Sequence, residues 1–255
     1  MEAAVTGRPE AGVRVFKDEE ELSRAAAEFF REVAQESIIA HGRFAVALSG
    51  GFTPRRFYSL LGSPSYRDVL DWSRIHIFWA DERCVPQDRP ESNYKLVYDA
   101  FLSNVPLPAK NIHRIRGEEE PAYAALTYEN ELRSFIDGPG MVVFDLVILG
   151  TGEDGHTASL FPGSDALLER TRLAVPVFLD QPKINRVTLT LQVLNHAAQV
   201  LFLVSGRAKA DIVRDILEGG ETQRYPAGQV RPVSGEVAWF IDQQAAGKLR
   251  DCGCT

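Results

Sequence analysis

The chain has 255 residues, of which 45% are hydrophobic and 25% charged, so it is long enough to bury a large core in one domain. Its formal charge of −7 and pI near 5.3 argue against nucleic acid or an anionic membrane as a general partner. No apolar run approaches the ~20 residues that span a bilayer, and the N-terminal segment MEAAVTGRPEAG lacks the apolar centre of a signal peptide. Three cysteines, Cys84, Cys252 and Cys254, form no disulfide framework, so a reducing cytoplasm is the expected location.

Strand and helix patterns alternate along the chain. Short apolar runs predict strands at residues 13–16, 44–48, 75–79, 146–149, 187–191, 200–204 and 237–241. Caps, prolines and periodic apolar positions predict helices at residues 18–42, from 53 onward, 92–103, 121–136 and 207–217, with a short helix after the last strand. This alternation is typical of an α/β fold, a mostly parallel sheet with helices on both faces in a Rossmann-like three-layer arrangement. We expect a single domain over residues 13–246, a flexible N-terminus over 1–12 and a tail over 247–255.

The segment after the second predicted strand, Leu48–Arg56 (LSGGFTPRR), passes through two glycines into a helix start. Unpaired amides at such a helix start bind anions, and glycines let a phosphate approach the backbone closely. We therefore expect an anion site at this turn, with Arg55 or Arg56 closing over the anion. The alternative is an ordinary turn with exposed arginines. Because the segment lacks the Lys-Ser/Thr end of a P-loop, a nucleoside triphosphate is not expected.

Two further predicted strands end in charged sequence. The third strand is followed by Asp81, Glu82 and Arg83, which form either a structural ion-paired corner or a proton-transfer group with a cation facing developing negative charge. Lys209 follows a later strand at a helix start, and its alternative role is that of an ordinary surface lysine. Since the carboxyl ends of parallel strands share one edge of the sheet, these groups are expected to lie near the glycine turn.

The most informative segment is Asp145–Pro162, DLVILGTGEDGHTASLFP. A strand of buried type breaks into three glycines and presents Glu153, Asp154 and His156 where the strand ends. A histidine at that edge can exchange protons near neutral pH, and a neighbouring carboxylate can fix its tautomer. The alternative is a tight turn whose histidine is only hydrogen-bonded.

These segments together resemble the 6-phosphogluconolactonase family, within the fold shared with glucosamine-6-phosphate isomerases and deaminases. The matching pieces, in the family's order, are LSGGFTP (48–54), DERCVP (81–86), SNY (92–94), GTGEDGHTASLFP (150–162), RVTLTLQVLN (186–195) and GRAKA (206–210). The resemblance covers most of the chain from Phe16 onward, and DGHTASLFP and DERCVP are its most specific parts. Phe52 departs from the small polar residue usual in the family's glycine turn, which removes a hydroxyl ligand and leaves the amides.

The resemblance implies hydrolysis of 6-phospho-D-glucono-1,5-lactone to 6-phosphogluconate in the oxidative pentose phosphate pathway. A lactone is an activated ester, so we expect no metal, no cofactor and no covalent intermediate. His156 is expected to take a proton from the attacking water, with Asp154 or Glu153 orienting the ring and Arg83 stabilising the developing charge. Asp81 is expected among the catalytic residues. The expected ligands of the 6-phosphate are Gly50, Gly51, Thr53, Arg55 and Lys209, with Ser49 in the same turn.

Four other functions fit the sequence less well. A deaminase or isomerase of the same fold is disfavoured by Arg83 and by the HTASLFP ending of the histidine segment. An NAD(P) oxidoreductase is suggested by the glycines of residues 150–155, but Pro162 cuts the expected helix and residues 170–175 contain no ribose-binding acid. A serine hydrolase using Ser49 would need a Gly-x-Ser-x-Gly motif, which is absent. A non-enzymatic sugar-phosphate sensor would need a DNA-binding module, for which the N-terminus leaves no room.

Overall fold

The computed structural model describes residues 12–135, 142–180, 182–219 and 222–250. In these ranges the strands are β1 (Gly12–Phe16), β2 (Phe44–Leu48), β3 (Ile75–Trp79), β4 (Asp81–Arg83), β5 (Ile112–His113), β6 (Leu146–Leu149), β7 (Ala174–Val177), β8 (Arg186–Leu189), β9 (Gln199–Val204) and β10 (Glu236–Asp242). The helices are α1 (Glu19–His41), α2 (Thr53–Leu61), α3 (Pro64–Arg67), α4 (Asn93–Ala100), α5 (Pro121–Ser134), α6 (Leu191–Leu194), α7 (Ala210–Leu217) and α8 (Pro226–Gln229). None of the described helices is both long enough and apolar enough to cross a membrane.

Seven of these strands form one parallel sheet in the order β1-β10-β9-β6-β2-β3-β5. From β2 the chain builds the sheet outward through β3 to β5, and it then returns to β6 and builds the other side through β9 and β10. The two directions therefore diverge between β2 and β6. In open α/β sheets, the crevice beyond the strand ends at such a point is where ligands bind.

The helices bury apolar faces against this sheet. The Asp18 side chain caps α1 by accepting the Glu21 amide at 2.9 Å, and α1 ends at Gly42, whose φ of 85° is left-handed. Phe30 of α1 meets Phe44 of β2 at a ring separation of 5.1 Å. Because the central strands β2 and β6 are wholly buried and helices flank the sheet, the α/β class and the mostly parallel sheet predicted from the sequence are confirmed.

A second, three-stranded antiparallel sheet in the order β4-β8-β7 stands beside the first. The sequence predicts a strand near β8 but does not show that it leaves the parallel sheet. Its pairing with β4 sets Arg83 directly opposite Arg186 and Asp81 opposite Thr188. The small sheet thus brings the acidic end of β3 together with a segment about a hundred residues later.

Several boundaries differ from the predicted ones. The helix predicted from Arg207 begins as a 3₁₀ turn, and the short helix expected after the last strand is a run of turns. Gly12, assigned to the flexible N-terminus, pairs with Ala238 in the sheet, whereas residues 1–11 lie outside the described residues. Within the predicted tail, Lys248 pairs with Asp211 of α7 at 2.6 Å. Ile136, Cys252 and Cys254 lie outside the described residues.

Candidate active site

A cavity of about 320 Å³ lies beyond the carboxyl ends of β2, β3, β6 and β9. It is lined by residues 49–54, Asp81, Arg83, Asn93, residues 150–152, His156, Ala158, Arg186, residues 203–205 and Lys209. The four strand ends that the sequence places at one edge therefore meet around one space. Its volume is at the lower end of the roughly 300–1,000 Å³ of small-molecule sites.

His156 is held on the turn after β6 by its own neighbourhood. Its Nδ1 lies 2.6 Å from Oδ1 of Asp154, and the same carboxylate accepts the His156 amide at 3.1 Å. A Cβ atom at Gly152 would lie 2.1 Å from Nδ1 of His156, and Gly155 has a φ of +81°, so this turn needs both glycines. The glycines of this segment thus allow the ring and the carboxylate to approach closely.

The contact with Asp154 decides which ring nitrogen of His156 faces the cavity as a base. Burial raises the pKa of Asp154, but the hydrogen bonds from the His156 amide and ring outweigh it, so the pKa lies below its ordinary value. An ionised carboxylate only accepts hydrogen bonds, so Nδ1 of the neutral ring carries the hydrogen and Nε2 keeps its lone pair. Glu153, the other predicted orienting residue, is exposed and makes no side-chain hydrogen bond to described residues.

Asp81 is buried and firmly anchored. Its Oδ2 accepts the Ser159 hydroxyl at 2.6 Å, and its Oδ1 accepts Nδ2 of Asn93 at 3.1 Å. Nη1 of Arg186 lies 4.0 Å from the same Oδ2. Asp81 therefore holds groups around the cavity in place at the same time as it lines it.

The neighbouring Glu82 serves the helix that follows. It accepts the backbone amides of Asn93 and Tyr94, each at 2.7 Å, at the start of α4. Burial raises the pKa of Glu82 to about 7, against the lowering effect of these amides. Glu82 thus fixes α4, and with it Asn93, against the strand end that carries Asp81.

Three cationic side chains face the cavity. Nη1 of Arg83 donates to the Glu91 carbonyl, whereas its buried Nε has no partner in the described structure. Burial and the nearby Arg83 lower the pKa of Arg186. The Lys209 ammonium makes no ion pair with any described residue. Three cations against the single carboxylate of Asp81 in the described lining favour an anionic ligand.

The glycine turn after β2 forms another part of the wall. A Cβ atom at Gly50 would lie 1.8 Å from Oδ1 of Asn93, and Gly51 has a φ of +116°. The amides of Gly50, Gly51 and Thr53 have no hydrogen-bond partner among the described residues. With α2 starting at Thr53, they are available to an anion in the cavity.

The two arginines that were expected to compete for the anion both point elsewhere. Arg55 lines a neighbouring groove with Ser59 and Lys95, and Nε of Arg56 pairs with Oε2 of Glu20 at 2.6 Å. Both arginines lie in the first turn of α2, on the side that faces solvent, whereas Pro54 and Phe57 are on the buried side. The structure therefore does not bring Arg55 into the cavity that holds the other predicted ligands.

Sequence reasoning assigned no role to three residues that shape the cavity, Asn93, Arg186 and Ser159. Arg186 had one available signal, a lone charge at the start of an otherwise apolar strand. Ala158 was also overlooked. It has a φ of 48°, the one positive φ outside glycine among the described residues, and such conformations gather at functional sites.

Comparisons with known proteins identify the family to which the chain is similar. A family model described as glucosamine-6-phosphate isomerases/6-phosphogluconolactonase matches residues 17–239. A 6-phosphogluconolactonase from Synechocystis is 41% identical over 84% of this chain and 88% of its own length. A probable 6-phosphogluconolactonase 2 from Arabidopsis thaliana is 39% identical over 95% and 97%. The solved structure of a 6-phosphogluconolactonase from Trypanosoma brucei has a TM-score of 0.83 at 28% identity, covering 94% of this chain and 99% of that one.

Proposed function

The chain belongs to the family of glucosamine-6-phosphate isomerases and 6-phosphogluconolactonases, and we propose that it hydrolyses 6-phospho-D-glucono-1,5-lactone to 6-phospho-D-gluconate. Relatives that carry the lactonase name match it over most of both chains. This activity makes it an enzyme of the oxidative pentose phosphate pathway. The observation that carries the proposal is a histidine with a fixed tautomer at the wall of a cationic cavity.

The cavity offers two kinds of group to the 6-phosphate. The free amides at the start of α2 point a positive dipole end at an anion, and Lys209 supplies an unpaired ammonium. Arg186 lies in the same lining and adds a guanidinium that donates to the Ile184 carbonyl through Nε and lies 4.0 Å from Oδ2 of Asp81. We therefore assign the phosphate to Gly50, Gly51, Thr53, Lys209 and Arg186, with Ser49 supporting the turn, and we leave out Arg55.

The hydrolytic step needs one base and one stabiliser of negative charge. Nε2 of His156 accepts a proton from water as the water oxygen bonds to C1 of the lactone. The carbonyl oxygen becomes an oxyanion, which the Arg83 guanidinium at the cavity wall stabilises. When the tetrahedral intermediate collapses, the bond from C1 to the ring oxygen breaks and the imidazolium returns the proton to that oxygen. The products are the C1 carboxylic acid, which ionises at neutral pH, and the free ring hydroxyl.

Asp154 and Asp81 support this step without exchanging protons in it. Asp154 stabilises the imidazolium that forms on His156, because its carboxylate stays 2.6 Å from the protonated Nδ1. Asp81 places a negative charge 4.0 Å from Nη1 of Arg186, and its carboxylate is fixed by Ser159 and Asn93. Glu153 is not part of this scheme, since it is exposed and does not contact the ring.

We also propose the cytoplasm as the compartment, since the three cysteines of the sequence form no disulfide framework and Cys84 is a free thiol. The formal charge of −7 supports a small-molecule substrate with no nucleic-acid or membrane partner.

The deciding experiment is an assay on lactone generated immediately before use, with the spontaneous hydrolysis rate subtracted. We expect enzyme-dependent release of 6-phosphogluconate, read out by coupling to an excess of the dehydrogenase that consumes it. Glucosamine-6-phosphate is the matched control substrate, and no ammonia should be released from it. Absence of lactone turnover by folded protein would overturn the proposal.

A further inference from the structure

Phe52 is a large aromatic side chain at the wall of the active-site cavity, and 79% of its surface is exposed. Single exposed apolar residues are common and carry no function by themselves. Eleven large hydrophobic side chains are exposed in the described structure, however, and Phe52 is the one among them that lines this cavity. The exposure of this ring at the cavity wall therefore needs a physical explanation, which the other ten side chains do not.

The backbone that carries Phe52 is fixed. It stands between Gly51, with a φ of +116°, and the Thr53-Pro54 start of α2, and its carbonyl accepts the Arg55 amide at 3.1 Å. Its side chain makes no capping hydrogen bond, and no aromatic or cationic group of the described residues stacks on the ring. The ring thus sits at a defined point of the cavity wall with most of its surface unpaired. With only two side-chain torsions, it loses little entropy when a ligand covers it.

The neighbours of Phe52 in sequence are the groups assigned above to the phosphate. Gly51 and Thr53 flank it and present free amides to the cavity. A phosphate bound by these amides places the carbon atom that bears it next to the ring of Phe52. The C–H groups of a sugar phosphate are apolar, so contact with the ring removes apolar surface of both partners from water.

We infer that Phe52 is a substrate-binding residue that covers the carbon framework next to the phosphate and selects phosphorylated sugars over inorganic phosphate. This inference rests on the proposed function, because it places the 6-phosphate at the glycine turn. Phe52 contacts a part of the substrate that does not change during lactone opening. Its contribution is therefore equal in the ground and transition states, and it acts on KM and not on kcat.

The test compares Phe52→Ser and Phe52→Leu with Phe178→Ser, a matched change at an aromatic residue that is 64% exposed and does not line the cavity. Phe52→Ser is expected to raise KM for the lactone, and the dissociation constant of 6-phosphogluconate, about tenfold, as for loss of part of a buried aromatic contact. Phe52→Leu keeps apolar surface at this position, so it should raise both constants by less, about threefold. All three variants should keep kcat within about twofold and the dissociation constant of inorganic phosphate within about twofold.

Inorganic phosphate is the decisive probe. If Phe52 only kept the glycine turn in shape, Phe52→Ser would weaken the binding of inorganic phosphate and of 6-phosphogluconate by the same factor. That result would overturn the inference. An unchanged affinity for 6-phosphogluconate would overturn it as well. Calorimetric titration measures both ligands without turnover, so the Phe52 result is obtained separately from the wild-type lactone assay that tests the proposed function. A wild-type protein that binds no 6-phosphogluconate would overturn both.

Discussion

The described residues contain two His–Asp pairs, which lie at opposite ends of the parallel sheet and differ in what surrounds them. His156 and Asp154 lie at the carboxyl end, with the ring nitrogen 2.6 Å from the carboxylate. His41 and Asp145 lie 2.9 Å apart beside a second cavity of about 260 Å³, at the amino ends of β9 and β10. The pairs are alike in chemistry and in distance, so the distance alone does not identify an active site.

Their surroundings separate them. Glu36 and Glu236 line the second cavity, and its described lining contains no lysine or arginine, whereas the active-site cavity has three such cations. Asp145 is partly buried and its pKa is raised by burial, although the Ala45 amide and His41 oppose the shift. Asp154 is half exposed and its pKa is lowered by its hydrogen bonds. A histidine with a carboxylate therefore becomes a candidate catalyst for an anionic ester only where cations and free amides gather around it.

The largest expected effect is the loss of kcat on removing the His156 ring, and removing the His41 ring is its matched control. His156→Ala is expected to lower kcat by about 10²–10⁴, the usual value of positioned acid–base catalysis. His41→Ala, the matched change, should leave kcat within about twofold, because no step of the reaction uses that end of the sheet. Steady-state kinetics on fresh lactone would measure both, and near-wild-type turnover by folded His156→Ala would remove His156 from the mechanism.

Arg83 is the next largest expected contribution. Arg83→Ala should lower kcat by about 10²–10³, as for loss of an oxyanion donor, since it meets charge that develops only in the tetrahedral state. The same loss should be seen with phosphorylated and unphosphorylated gluconolactone. If the variant instead raises KM for the phosphorylated lactone alone, Arg83 belongs among the phosphate ligands.

Lys209 should act on binding. In the proposed binding mode its ammonium faces a phosphate whose charge does not change in the reaction, so Lys209→Ala is expected to raise KM by about 10- to 100-fold with kcat nearly unchanged. Slow turnover of unphosphorylated gluconolactone should be insensitive to the change. A fall in kcat on both lactones would contradict this division between binding and chemistry.

The smallest effects concern stability in acid, and they should have opposite signs at the two ends. The lowered pKa of Asp154 contributes stability above pH about 4, and this contribution is lost as the pH falls through the folded-state pKa. The raised pKa of Asp145 contributes stability below pH about 4, and this contribution is lost as the pH rises through the folded-state pKa. Urea unfolding of wild type, Asp154→Asn and Asp145→Asn at several acid pH values would measure how the free energy of unfolding depends on pH in each protein. The free energy of unfolding that Asp154→Asn loses relative to wild type should shrink as the pH falls, and the free energy that Asp145→Asn loses should grow. Equal slopes would contradict the assignment.

The sequence predicts the α/β class and the gathering of strand ends well, because both follow from local patterns and from the geometry of parallel sheets. Short apolar runs marked β2, β3, β6 and β9, and polar turns marked their ends. The two-residue β5 carries too little pattern to be recognised, and β7 has a proline in a four-residue run. The second sheet could not be predicted from the sequence, because the antiparallel pairing of β4 with β8 joins residues that are far apart in the chain.

Within the site, the sequence indicated residues that follow strands and missed residues that reach in from elsewhere. Arg186 lies in the cavity through the register of the small sheet, which no local pattern encodes. Arg55 and Lys209 look alike in the sequence, each near a helix start after a strand, but only Lys209 lines the cavity. The direction of a side chain around the first turn of a helix depends on where the helix begins, and a sequence fixes that boundary only to within a few residues.

The two-residue strand β5 closes one side of the parallel sheet. A sheet edge exposes unpaired amides and carbonyls that can add a strand from another molecule, and proteins limit this with short edge strands and charges. Lys110 and Arg114 stand close to either end of β5, so this edge offers little length and a charged border to an incoming chain. Replacing these two residues by valine would lengthen the apolar edge and should make the protein prone to aggregate as its concentration rises, with the catalytic edge of the sheet untouched.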